Sequence, residues 1–141
     1  MAKKPMKNDK MRTTFFVLIM NTLKKLIYLT YIIYLSYLSL KRVNVSEPPF
    51  PHFDKVAHFI AHSILTFLFL INWNQIKKSF LQSLFIGVGI EIAQYFLPYR
   101  SFDLLDMAAN CLGSLCLIGL WRVTPEKIRS ILLGKLQPPA Q

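Results

Sequence analysis

Residues 79–121, SFLQSLFIGVGIEIAQYFLPYRSFDLLDMAANCLGSLCLIGLW, decide the fold. Two apolar runs, 79–97 and 103–121, flank a short polar turn. Pro98 ends the first run, because proline cannot continue a helix's hydrogen bonding. Each run is about 18 residues, near the length that carries a helix across the hydrocarbon of a bilayer. The stretch predicts a helical hairpin in a membrane, and the same grammar extends in both directions from it.

Upstream, residues 72–78 form a basic turn with Lys77 and Lys78, preceded by a second apolar run over 55–72. Before that lies a loop over 41–53 with Pro48, Pro49 and Pro51. A further apolar stretch spans 15–40 but is interrupted by Lys24 and Lys25. Lysine at the centre of a span costs about 2.5–3.5 kcal/mol. The cheaper solution starts this span near Leu23 or Leu26, ends it near Leu40, and lets the lysines snorkel. Residues 13–22 then serve as an interfacial or helical lead-in. Tyr28, Tyr31, Tyr34 and Tyr37 recur every third residue and suit packing and interface anchoring.

The expectation is an all-α integral membrane four-helix bundle over residues 13–121, with a mobile basic tail over 1–12 and a cytoplasmic tail over 122–141. A signal peptide is excluded as the reading of the start: no small-residue cleavage site follows, and further apolar runs do. In the C-terminal tail, Thr124-Pro125-Glu126 reads as a helix start. Ile128, Ile131, Leu132 and Leu136 fall on one side of a short amphipathic helix on the membrane surface.

Of 141 residues, 53% are apolar and 17% charged, which fits one membrane domain better than a soluble one. The net charge of +10 does not indicate nucleic acid, since the basic residues flank greasy runs. If both termini and the 72–78 turn are cytoplasmic, 13 of the 17 Lys and Arg lie on that side. That bias predicts cytoplasmic termini. Cys111 and Cys116 point in different directions on a helix and read as small packing residues. No zinc-type cysteine spacing or cofactor motif is present, and no cofactor is expected.

Polar residues recur at helical spacing inside these runs. Asp54, His58 and His62 share one face of the second helix. Glu91 and Gln94 lie one turn apart on the third, and Asp103, Asp106, Asn110 and Ser114 follow one face of the fourth. Lys55 and Arg100 stand at the same end. Ionisable groups are expensive in lipid, so all should face the bundle interior or water. Gly87, Gly89, Ala109 and Gly113 would let the helices approach closely. Plainer roles compete: Asp54 and Asp103 as helix caps, Asn110 and Ser114 as helix ties, Arg100 as an interface anchor. A buried Glu91 would be neutral or paired with a cation such as Arg100.

The pattern Asp54-Lys55-x-x-His58-Phe59, Gly89-x-Glu91-x-x-Gln94 and Arg100-Ser101-Phe102-Asp103-Leu104-Leu105-Asp106-x-x-x-Asn110-x-x-Gly113 resembles the VanZ-like family of small bacterial membrane proteins. The resemblance covers about residues 50–120. It implies a multi-pass protein of the bacterial inner membrane and cell envelope, in a family whose founding member is associated with low-level resistance to the glycopeptide teicoplanin. His62 departs from the tyrosine common at that place.

Three functions follow as expectations. The first is recognition of a lipid-linked or wall-precursor head group at the outer face, using Asp54, Lys55, His58, Glu91, Gln94, Arg100, Asp106 and Asn110, with Arg100 and Lys55 on phosphate. Membrane lipids are then natural partners. The second is a membrane-embedded hydrolase or transferase with His58 as base beside Glu91 and Asp106, or a metal site from His58, His62 and an acid. The third is a structural or interaction subunit in which the polar groups only tie helices together. A transporter fits least, since four short spans without a repeat leave little room for alternating access.

Overall fold

The computed structural model describes residues 7–42 and 49–134. Five helices follow one another: α1 (Lys7–Leu40), α2 (Phe53–Trp73), α3 (Ile76–Tyr95), α4 (Leu104–Val123) and α5 (Glu126–Leu133), and the described residues contain no strand. Among the described residues, three segments are long and apolar enough to cross a membrane: Thr14–Leu40, Phe53–Trp73 and Leu104–Val123. α3 is as long as α4 but less apolar, because Lys77, Lys78 and Glu91 lie within it. Its outward face is nonetheless greasy, with Phe85, Ile92 and Tyr95 exposed, while Ser79, Ser83, Glu91 and Gln94 are buried.

The same inversion holds throughout. Leu104, Leu112, Leu120 and Val123 face outward, whereas His62, Thr66, Asn110 and Ser114 are buried. Water would favour the reverse, and lipid favours this arrangement, since unpaired polar groups cost several kcal/mol in hydrocarbon.

α1 is one continuous helix of 34 residues, roughly 50 Å at 1.5 Å per residue. The polar segment expected as a tail is therefore helical from Lys7, and residues 1–6 lie outside the described part. The lead-in over 13–22 joins α1 without a break. Lys24 does not simply snorkel. Its stem is buried, and its ammonium donates to the Leu133 carbonyl of α5 at 2.8 Å. The last carbonyls of a helix lack intrahelical partners and carry partial negative charge, which is why a lysine suits that place. The amphipathic α5 is present over Glu126–Leu133, but Thr124 ends α4 rather than opening α5, its hydroxyl donating to Leu120 O at 2.7 Å. Leu136 lies outside the described residues.

A small apolar core forms where α1, α2 and α3 meet: Leu35, Leu65, Phe69 and Ile90, with Tyr28, Tyr31 and Trp73 against them. Tyr28 meets Phe69 and Trp73 with ring centroids 5.8 and 5.4 Å away, and the Tyr31 hydroxyl donates to Ala61 O at 3.0 Å. Tyr34 and Tyr37 face outward. Between α2 and α3 the turn shrinks to Asn74 and Gln75, with Asn74 in the left-handed region (φ 50°), which asparagine tolerates better than most residues.

α2 and α4 pack most extensively and most closely. A Cβ on Gly113 would stand 2.1 Å from the Phe59 carbonyl oxygen. The Ser63 hydroxyl bridges the same approach, donating toward Phe59 O at 2.8 Å and Gly113 O at 2.9 Å. Gly87 is also tight, its missing Cβ 2.8 Å from the His62 ring, whereas Gly89 meets nothing within 4 Å and plays no packing role.

Gly113→Ala should therefore force α2 and α4 apart. An overpacking cost of about 1–3 kcal/mol or more is expected, read as a lowered melting temperature in detergent. Gly89→Ala should melt within a degree or two of the parent; equal losses in both would contradict the packing described.

Candidate functional site

One end of the bundle, where α2 begins and α3 turns into α4, gathers the ionisable groups. Asp103 caps α4, its carboxylate accepting from Leu105 N–H at 2.8 Å. Asp54 is not a cap. The N-cap of α2 is His52, in the left-handed region at φ 61°, and Asp54 lies in the first turn, where an acid suits the helix dipole.

Lys55 is the hub of this end. Its ammonium reaches Asp54 Oδ2 at 2.7 Å and Asp106 Oδ1 at 2.7 Å, and it also bonds Asp103. Two helices are thereby joined through one cation. The Lys55 hydrogen bond, followed by the Leu105 N–H, holds the Asp103 carboxyl below the usual aspartate range.

Beneath this ionic layer lies His58. Its Nδ1 is 3.1 Å from Asn110 Oδ1 and 4.0 Å from Glu91 Oε1, and its Nε2 is 3.6 Å from Asp106 Oδ2. Glu91 is completely buried. One of its oxygens accepts from Asp103 N–H at 3.3 Å, while Oε1 has no hydrogen-bond partner. One donor atom each from His58, Glu91 and Asp106 lies within 4.8 Å of the other two, close enough to surround a metal ion. A second such trio, Asp54, Asp103 and Asp106, already surrounds the Lys55 ammonium.

A third, uncharged layer follows. His62 Nδ1 pairs with Ser83 Oγ at 3.0 Å, Ser83 with Ser114 at 3.1 Å, and the Thr66 hydroxyl donates to Ser114 at 2.9 Å. These bonds join α2, α3 and α4. His62 thus belongs to a buried hydroxyl network one turn below His58. The metal-capable trio uses Glu91 and Asp106 with His58, not the His58–His62 pair expected from spacing.

Gln94 and Arg100 also stand apart from the acids. Gln94 Nε2 donates to Ser39 O at 2.9 Å, the Tyr99 hydroxyl to Leu40 O at 3.2 Å and Arg100 to Lys41 O at 3.2 Å. All three satisfy carbonyls at the C-terminal end of α1, where helical partners run out. The cation that Glu91 lacks is therefore not Arg100. Sequence reading placed Lys55 in the site but missed that three carboxylates saturate it; the signal was the coincidence of Asp54, Asp103 and Asp106 at one end.

A helical membrane protein with a polar, ionisable end enclosed by apolar outer faces is the class these features define. Within that class the chain belongs to the VanZ/LLP1 family, whose model matches residues 2–125. It is also similar to an uncharacterised protein of Schizosaccharomyces pombe, 39% identical over 71 residues, covering 46% of this chain. The chain spans 44% of that relative's length. No solved structure matches.

Lys55→Met should leave three carboxylates crowded without a cation. The ion pairs are only partly buried, so the expected loss is about 1–2 kcal/mol, between exposed and buried pairs, and adding Asp106→Asn should recover part of it. A double variant no more stable than the single one would refute the hub. The Asp103 contribution has a defined pH sense. Its carboxyl is held low, so its stability is present above the unfolded value of about 3.9 and lost as pH falls through the lowered folded value. Melting curves of the parent and Asp103→Asn, separate at pH 7, should converge as pH drops below 4.

Proposed function

We propose that this VanZ-family protein is a cell-envelope membrane protein of the bacterial inner membrane that recognises a lipid-linked or wall-precursor head group at the outer face. In this reading all four of α1–α4 cross the membrane and both termini are cytoplasmic. The lysine and arginine bias supports that orientation, and the outward apolar face of α3 supports a fourth span. The family's association with teicoplanin resistance makes wall precursors the natural ligand class.

The observation that carries the reading is the buried Glu91 carboxylate, desolvated beside His58 and Asp106 with one oxygen unbonded. Burying such a group without a partner is costly, and the cost is tolerated where a ligand supplies the missing interaction. Acceptors exceed cations here. The acidic end thus favours the amine, amide and hydroxyl donors of a head group, while Arg100, which spends one N–H on Lys41 O, keeps further donors for its phosphate.

A second reading is favoured by the 3.6 Å approach of His58 Nε2 to Asp106. A carboxylate beside an imidazole is the pairing of a general base, so the same cluster suits a hydrolase or transferase acting on a lipid-borne ester or phosphate. Incubation of labelled lipid-linked precursor with purified protein would release product in a His58-dependent way; intact precursor after long incubation argues against it.

The recognition reading is tested by Glu91→Gln, Asp106→Asn and Arg100→Ala, each at equal expression. Co-purified lipid-linked precursor, quantified by mass spectrometry, should fall about tenfold for the two acids, as for about 1.4 kcal/mol of lost affinity, with teicoplanin tolerance falling in parallel. Parental levels of both in all three variants would end the proposal.

A further inference from the structure

We infer that His58, Glu91 and Asp106 hold a single divalent ion, zinc or manganese, beneath the Lys55 hub. This deepens the head-group reading and rests on the same cluster being the functional site.

Hydrogen placement leads to it. Asn110 Oδ1 can only accept, so the 3.1 Å contact places a proton on His58 Nδ1. In a neutral ring, Nε2 then carries a lone pair. It lies 3.6 Å from Asp106 Oδ2, itself an acceptor, and two acceptors facing each other are unfavourable unless a hydrogen-bond donor or a cation lies between or beside them. Lys55 does not supply it, because its ammonium is engaged by Asp106 through the other oxygen, Oδ1, and by two further acids. Glu91 Oε1, buried and without a hydrogen bond, lies 4.0 Å from His58 Nδ1, so sharing an ion with Nε2 takes a side-chain turn.

The donor set suits such an ion. One imidazole and two carboxylates, from three different helices, lie within 4.8 Å of one another. Donors bound to one first-row ion stand about 3–4 Å apart, so the trio closes with small side-chain movements. The Nδ1–H bond to an amide oxygen is the outer-shell arrangement that orients a metal-bound histidine and fixes its tautomer. Burial also discriminates by size. Glu91 is fully enclosed, so only an ion or a single small donor of a head group reaches it, while the bulk of a head group stays at the exposed Asp54. With the ion in place, the excess negative charge of this end is reduced though not reversed, and a phosphate-bearing head group meets less repulsion above it.

The test uses full-length protein purified in detergent, stripped with chelator, dialysed and titrated with zinc or manganese. Bound metal is measured by elemental analysis, and manganese also by electron paramagnetic resonance. One ion per chain is expected, with affinity at least tenfold weaker in Glu91→Gln and His58→Gln and within twofold of the parent in Asp54→Asn. The ion should raise the melting temperature of the parent but not of Glu91→Gln, an isosteric change that should fold. No saturable binding overturns the inference. So does a loss in Asp54→Asn with none in Glu91→Gln, which would move the ion to the Lys55 layer. Precursor capture by chelated and metal-loaded protein separates the two readings. Capture without metal binding leaves recognition standing and removes the ion, while metal binding without capture does the reverse.

Discussion

Everything in this molecule answers to one constraint: a polar group facing lipid has no water to bond, so it must find a partner inside the protein. Among the described residues, Glu91, His62, Asn110, Ser83 and Ser114 are buried while leucines and phenylalanines point outward. The interior is consequently layered by polarity. Charge collects at the α3–α4 turn, where Lys55 faces three acids. Hydroxyls and His62 fill the next turn, and the aromatic and aliphatic contacts of Tyr28, Leu65, Phe69 and Trp73 lie with α1. Each layer needs the helices at a particular separation, and Gly113 sets it. Without a side chain there, α4 comes within reach of the Phe59 carbonyl, and Ser63 can bond both backbones.

The constraint also explains the helix ends. The final carbonyls of α1 meet Gln94, Tyr99 and Arg100, and the final carbonyl of α5 meets Lys24. Four side chains from other elements thus do the work that capping residues within the helix would otherwise do. These contacts fix α1, which is otherwise held by a small apolar core, to the α3–α4 turn at one end. Two chemistries thus act side by side at the α3–α4 turn: carbonyl capping holds α1, and ion pairing holds α2 to α4.

Much of this was legible beforehand because helical spacing is strict. Asp54, His58 and His62 at intervals of four, and Asp103, Asp106 and Asn110 along one face, had to meet if their helices met, and Lys55, His58, Glu91, Asp106 and Asn110 do converge. What the spacing could not give is direction and competition. Arg100 is adjacent in sequence to the acidic face of α4, yet a long flexible side chain can turn either way, and the unsatisfied end of α1 claimed it. Gln94 went the same way. His62 shares a face with His58, but one turn of depth changes its neighbours from carboxylates to hydroxyls. Gly89 looked like a packing glycine, whereas close approach depends on which face a neighbour occupies, and none lies opposite it. The average hydropathy of α3 also hides its two-sidedness, since lysines at its start and a buried Glu91 lower it while its exposed side stays apolar.

The charge balance of the acidic end bears most directly on what it can bind. Lys55 is bonded by three carboxylates, so its single positive charge is overmatched before Glu91 is counted. An anionic ligand approaching this end would meet net negative potential, and in a low-dielectric surrounding that repulsion is far stronger than in water. A bound cation would change the balance and would draw on all three of His58, Glu91 and Asp106 together. The unbonded Glu91 oxygen and the opposed acceptors at His58 and Asp106 are two separate places where helix packing leaves a polar atom without a partner.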